Sequence, residues 1–263
     1  MRRFLCIAVV SCLALVAGCG SDDGGGDSTT SATATQTTPT QTTTDESTTK
    51  LPHGSEPVKL DPADFTTKID NPYYPLAPND RAGRRWIYQS TEERIVVTVT
   101  EETKDIQGVT ARVITDVVTN RNGGGFVEVT KDWYSQDKDG NVWYLGEDTK
   151  EYENGKVAST KGSWEHGVNG AYGGIIMPAD PQPGQTYRQE YYKGEAEDRA
   201  KVVTLDARVT VPFGTFENAL KTADSSPLEP GAVEFKYYAK GVGHVLRTSE
   251  DGGGREELIS FKK

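Results

Sequence analysis

The chain has 263 residues, with 39 acidic against 29 basic side chains and a formal net charge of −10. That balance argues against non-specific nucleic-acid binding and against electrostatic attraction to anionic phospholipid. The three cysteines, Cys6, Cys12 and Cys19, all fall in the first 19 positions, so nothing beyond them can form a disulfide or a thiolate metal site.

Arg2 and Arg3 give a positive start, and Phe4 to Val16 is apolar apart from Ser11 and two cysteines. The run is shorter than the roughly 20 residues a membrane-spanning helix needs, and it has the parts of an export signal. Val16-Ala17-Gly18-Cys19 follows, with a polar Gly20-Ser21-Asp22-Asp23 exit. This tetrapeptide resembles the lipobox of bacterial lipoproteins. The resemblance implies that residues 1–18 are a signal peptide cut before Cys19. It also implies that Cys19 carries a diacylglycerol, anchoring the chain at the extracytoplasmic face of the cell membrane. Each buried methylene contributes about 0.8 kcal/mol, so two acyl chains hold where one binds marginally. Loss of Arg2 and Arg3 leaves 27 basic residues and a net charge of −12.

Residues 19–50 are the expected tether. Ser28 to Thr49 contains no aromatic residue and no aliphatic one larger than alanine. Such a segment cannot bury enough apolar surface to offset its ordering entropy, which predicts a disordered spacer. Its Ser/Thr tract could also carry O-linked sugars.

Residues 51–263 have the length of one domain. Their periodicity is mostly two. Ile95, Val97 and Val99 share one face of a strand over 94–100. Val203, Leu205, Ala207, Val209 and Val211 share a face over 201–211. Val233, Phe235 and Tyr237 alternate with Glu234, Lys236 and Tyr238, and read as the covered face against a polar one. Further strands are predicted over 85–90, 110–119, 126–136, 142–147, 245–248 and 256–261. Asp137-Lys138-Asp139-Gly140-Asn141 predicts a hairpin turn between Trp133-Tyr134 and Val142-Trp143-Tyr144. Helix is expected only as a turn or two at 62–67 and 216–220. The fold class is mainly β: a single curved antiparallel sheet or partial barrel of nine to eleven strands with a long covering loop. A two-sheet sandwich is the alternative.

That loop is Lys161–Pro183, rich in glycine and proline but carrying Trp164, Tyr172, Ile175, Ile176 and Met177. Its apolar content predicts an ordered segment lying over the open side of the sheet. Trp133, Trp143, Trp164, Tyr172 and Met177 are the candidate ligand-binding side chains.

No catalytic or metal constellation stands out. In Asp137–Asn141 the glycine arrives two residues too early for a calcium loop, and Glu147 and Asp148 would supply only a looser site. His53, His166 and His244 are scattered, and neither Gly-x-Ser-x-Gly nor His-Glu-x-x-His occurs. Glu190, Glu195 and Glu197 beside Tyr187, Tyr191 and Tyr192 have the residue types of a sugar-binding groove but no defining spacing.

Val211-Pro212-Phe213-Gly214-Thr215-Phe216, followed by Tyr237-Tyr238-Ala239-Lys240-Gly241-Val242-Gly243-His244-Val245, resembles a motif of uncharacterised β-rich bacterial envelope proteins. The resemblance covers most of residues 64–261, implies a β-rich fold and transfers no catalytic residue. More loosely, the arrangement resembles lipoprotein-carrier folds, in which a curved antiparallel sheet holds acyl chains. The function expected is a non-enzymatic, lipid-anchored envelope protein whose aromatic-lined sheet binds an apolar or amphiphilic ligand, with no cofactor. A carbohydrate-active hydrolase using Glu or Asp, and a structural or protein-interaction module, are the alternatives.

Overall fold

The computed structural model describes residues 51–263 apart from Asp251 and Gly253. The expected signal peptide 1–18, the lipidation site Cys19 and the linker 19–50 lie outside the described residues.

Sixteen strands make up nearly all the regular structure described. They are β1 (Phe65–Thr66), β2 (Arg85–Gln89), β3 (Glu93–Ile106), β4 (Val109–Asn120), β5 (Phe126–Asp137), β6 (Val142–Glu153), β7 (Lys156–Ser159) and β8 (Trp164–Glu165). The remainder are β9 (Tyr172–Met177), β10 (Thr186–Arg188), β11 (Glu190–Tyr191), β12 (Arg199–Val211), β13 (Gly214–Ser225), β14 (Val233–Ala239), β15 (Gly243–Ser249) and β16 (Glu256–Lys262). Pro62–Asp64 is a single 3-10 turn, capped by the Asp61 carboxylate accepting from the Ala63 amide. The 62–67 expectation thus shrinks to that turn. The 216–220 segment is part of β13, where Phe216 pairs with Val209 and Leu220 with Tyr238.

Thirteen strands follow one another in a single antiparallel path: β10, β12, β13, β14, β15, β16, β2, β3, β4, β5, β6, β9, β11. The path's two ends, β10 and β11, are separated in sequence by Gln189 alone. The sheet therefore curls until its ends face each other, giving a nearly closed barrel with one unsealed seam. At the seam the backbones come so close that a Cβ on Gly174 would lie 2.3 Å from the Arg188 carbonyl oxygen. Arg188, 1% exposed, donates across the seam to the Gly173 carbonyl (2.9 Å), and also to the carbonyls of Gly54 (2.6 Å) and Glu56 (2.8 Å). One guanidinium fork thereby clips the start of the described chain over the gap.

One end of the barrel is capped by the segment between β1 and β2. Ile69, Tyr73, Leu76 and Ala77 are buried there. Asn71 Nδ2 donates to the carbonyls of Gly140 (3.1 Å) and Pro178 (3.0 Å), and the Gly241 amide donates to the Pro72 carbonyl (2.8 Å). The segment assigned to covering, 161–183, takes another course. It is ordered, but it contributes β8 and β9 to the sheet, both paired with β6, because its paired glycines let the backbones close up.

The hairpin at 137–141 forms as its composition predicts. Gly140 sits at φ 94°, and the Asp137 carboxylate accepts from the amides of Asp139 and Asn141, from Asn141 Nδ2 and from Trp143 Nε1 (2.8–3.0 Å). Those donors use the carboxylate's lone pairs for turn chemistry.

One expectation of facing is inverted. On β14, Glu234 and Tyr238 are buried and Lys236 keeps only 16% of its side chain exposed, while Val233, Phe235 and Tyr237 are the half-exposed outer face. Lys221 lies over the Phe235 ring at 3.6 Å, its stem covering the outward aromatics. On β12, bulges break the expected 203–211 face, leaving Val203 39% exposed while Val209 and Val211 are buried.

Candidate functional site

Inward-facing residues of β2–β6, β9 and β14–β16, with the segment before β2, line a cavity of about 160 Å³. An engineered cavity of about 150 Å³ holds benzene, which sets the scale: one small ring or short chain. Trp86, Tyr88, Ile95 and Val97 from β2 and β3 line it with apolar surface, together with Leu76 of the cap, Ile176 of β9 and Tyr238 of β14. Trp86 Nε1 donates to the Val242 carbonyl (2.7 Å) and the Tyr88 hydroxyl to the His244 carbonyl (3.1 Å), so both polar tips are anchored in backbone.

The rest of the lining is polar and divides into two walls. The first is built by period-two alternation on β5, where Glu128, Thr130, Asp132 and Tyr134 all face inward. Register then adds Asp116 on β4, directly opposite Thr130, and Glu147 on β6, directly opposite Asp132. Side chains directly opposite on neighbouring strands have Cβ atoms about 4.5–5.5 Å apart, so the Asp132–Glu147 pair is a like-charge contact. Tyr144 donates its hydroxyl to Asp132 (2.8 Å), and Thr130 donates to Glu128 (3.0 Å). Asp116 Oδ1 and Glu147 Oε1 are buried without a hydrogen-bond partner, Glu147 being only 3% exposed. Burial, reinforced by neighbouring carboxylates, holds Asp116 and Glu147 well above the usual carboxylate range. Burial also raises Asp132, against the lowering effect of the Tyr144 hydrogen bond.

The second wall carries its own counter-charges. Arg247 on β15 bridges Glu234 on β14 and Glu256 on β16, at 2.9 Å each. Lys236 pairs with Asp224 on β13 at 2.9 Å. Even here burial pushes Glu234 up to about 7. His244, on the same wall, is driven down to about 4 by burial, so it is neutral at ordinary pH. Farther round, Glu190 on β11 accepts from Trp164 Nε1 (2.7 Å) and is raised well above its ordinary value by burial and by the Asp198 charge.

Chemically, this is a small chamber with an aromatic and aliphatic side, a self-neutralised ionic side and a carboxylate side. Among the described residues no three His, Cys, Asp or Glu side chains converge as metal ligands. Three fully antiparallel strands hold the carboxylate side, so its spacing is fixed by register and not by loops.

The five aromatic and methionine candidates do not line this chamber. Trp133 is buried under Lys104, whose ammonium lies 4.3 Å from its ring centre. Trp143 is held by Asp137 and meets Phe65 edge-on at 6.0 Å. Trp164 is buried, meets Tyr144 edge-on at 5.3 Å and reaches the interior only through Glu190. Tyr172 stacks on Tyr191 at 6.4 Å, and Met177 is fully buried on β9. Trp164 and Tyr172 thus belong to the neighbourhood of the seam, and Trp133 and Trp143 to the β5–β6 hairpin. The chamber residues that sequence reasoning passed over are Asp116, Glu128, Asp132, Tyr88 and Tyr238, while Glu147 was weighed only as a looser cation ligand. Their signal was the Glu-x-Thr-x-Asp-x-Tyr alternation at 128–134, whose opposite face carries Val127, Val129 and Trp133 and is equally able to be covered.

No family model matches the chain, and no curated protein matches it. Among solved structures, the chain is similar to a crystal structure described as a "putative lipoprotein" from Parabacteroides distasonis. Identity is 14%, the alignment covers 72% of this chain and 98% of that one, and the TM-score is 0.39. A likeness of that size carries no argument about what this chain does.

Proposed function

We propose that this chain is a lipid-anchored envelope protein, held at the extracytoplasmic face through Cys19, that binds a small amphiphilic ligand inside its barrel without transforming it. The observation that carries the reading is the two-sided chamber, with Trp86, Tyr88, Ile95 and Val97 against Asp116, Asp132 and Glu147. Ligand pockets commonly combine mostly apolar walls with a few convergent polar groups. Export would place the pocket outside the cytoplasm, and the Ser/Thr-rich segment before residue 51 would give it reach from the membrane. The test is a titration of the full-length protein in a non-ionic detergent with a panel of single-ring ligands. Saturable binding that Tyr88→Ala weakens at least tenfold is expected. Absence of binding across the panel would remove the reading.

The hydrolase alternative retains one point in its favour: Asp132 and Glu147 are opposed carboxylates with raised proton affinity, as acid catalysts often are. A chamber of about 160 Å³, however, holds only about one ring. Turnover of a chromogenic glycoside, abolished by Glu147→Gln, would reverse the preference.

A further inference from the structure

We propose that the polar end of the ligand is an organic cation, an ammonium with N–H donors on a small apolar body, seated against Asp116, Asp132 and Glu147. The inference rests on the amphiphile-binding reading and names its ligand class.

Charge placement is the first argument. The chamber's cations are already engaged: Arg247 by Glu234 and Glu256, and Lys236 by Asp224. The arginine of β4, Arg112, lies beyond the chamber and is tied to Asp80 in the capping segment. His244 adds no charge, because burial keeps it neutral. The wall of β4, β5 and β6 thus faces the chamber with four carboxylates and no lysine or arginine among its lining residues.

Hydrogen-bond accounting is the second argument. Asp116 Oδ1 and Glu147 Oε1 are buried acceptors without donors, as Glu234 Oε2 is on the opposite wall, so the surroundings of the chamber are short of donors, and a buried acceptor left unmade is costly. An ammonium brings counter-charge, with N–H donors for the carboxylate oxygens of the lining. A metal ion fits less well, since no three ligating side chains converge among the described residues. The apolar side opposite offers Trp86, Tyr88 and Tyr238, and aromatic rings attract cations and cover hydrocarbon equally well.

A consequence follows for protons. In the empty chamber the wall holds protons more tightly than free carboxylates do. An arriving cation favours the ionised forms, so binding expels a proton to solvent. The groups facing the wall from the other elements are Tyr88 on β2, Glu190 on β11, Asp224 on β13, Glu234 and Lys236 on β14, His244 and Arg247 on β15, and Glu256 on β16. Of these, burial pushes Glu234 up to about 7.

Benzylamine and benzyl alcohol form the test pair, equal in size and differing in charge. Calorimetric titration of the full-length protein in two buffers of different ionisation enthalpy reads affinity and proton release together. Benzylamine is expected to bind at least about tenfold tighter than benzyl alcohol and to release protons. Asp132→Asn is expected to weaken benzylamine by about tenfold and leave benzyl alcohol unchanged, with Glu147→Gln as a second variant should the first fail to fold. Equal affinities for the two ligands would overturn the cation assignment while leaving an amphiphile pocket in place. Failure of both to bind would overturn the cation assignment and the pocket reading together. Tighter amine binding with no proton release and no effect of either variant would place the ammonium elsewhere, and would also overturn it.

Discussion

The two polar walls of the chamber use the same acids and differ in what faces them. On β13–β16, Asp224, Glu234 and Glu256 meet Lys236 and Arg247 at 2.9 Å, and the wall neutralises most of its own charge. On β4–β6, Asp132 and Glu147 meet each other, with Asp116 beside them, and hydroxyl groups supply the donors. The first wall has the form of a structural ion network. The second lines the chamber with four carboxyl groups and no lysine or arginine, and unfilled acceptors occur on both walls, at Asp116 and Glu147 on this one and at Glu234 on the other. Buried carboxyl groups without a counter-charge hold their protons, and that is the difference between the walls that a cationic ligand would act on.

The largest expected effect breaks the compensated wall. Arg247→Leu leaves Glu234 and Glu256 buried without their shared partner, and a loss of about 3–5 kcal/mol is expected in denaturant unfolding. A loss under about 1 kcal/mol would mean that this network is not structural. Next comes the frame that holds both walls. Gly174→Ala places a methyl 2.3 Å from the Arg188 carbonyl, and should cost about 1–3 kcal/mol by the same amount at pH 6 as at pH 8. A pH-dependent cost would tie the seam to the carboxylates. On the uncompensated wall the sign reverses. Asp132→Asn removes an acid whose ionised form burial disfavours, and should stabilise the protein by roughly 0.5–1 kcal/mol at pH 8. If the substitution destabilises there, the wall is compensated after all. The smallest effect is none: both walls lack cysteine, so a reductant should leave the melting temperature unchanged.

Much of the architecture was legible in the sequence, because strand alternation and Asp-Gly turn chemistry are local. The hairpin at 137–141, the strand over 94–100 and the curved antiparallel sheet all follow from residues within one window. The chamber was not legible, for two reasons. Alternation tells that a strand has two faces but not which one is enclosed, and on β14 the outer face is the more apolar, with Val233, Phe235 and Tyr237 under the Lys221 stem. Register also lies beyond a single strand: Asp132 and Glu147 become neighbours only through a bulge between Trp133 and Tyr134 that shifts the β5–β6 pairing. Lys161–Pro183 misled in the opposite way. Its glycines serve close packing at Gly173 and Gly174, so a segment that reads as a cover is part of the sheet.

The measurement that tests the central claim most directly is the melting temperature of wild type and Asp132→Asn from pH 6.5 to about 8. Carboxylates whose folded-state proton affinity is raised stabilise the fold while protonated, and lose that contribution as pH rises through their folded values. His244, depressed to about 4, and His166, also lowered by burial, act the other way where the unfolded imidazoles still hold protons, so they oppose the fall at the acid edge of the window and fade as pH rises above it. The wild-type melting temperature should therefore fall as pH rises, with Glu234 near 7 contributing part of the slope and the Asp132 wall another part. Asp132→Asn should flatten the slope without abolishing it. A wild-type melting temperature that is level or rises across the window, or a variant slope identical to wild type, would contradict an uncompensated carboxylate wall.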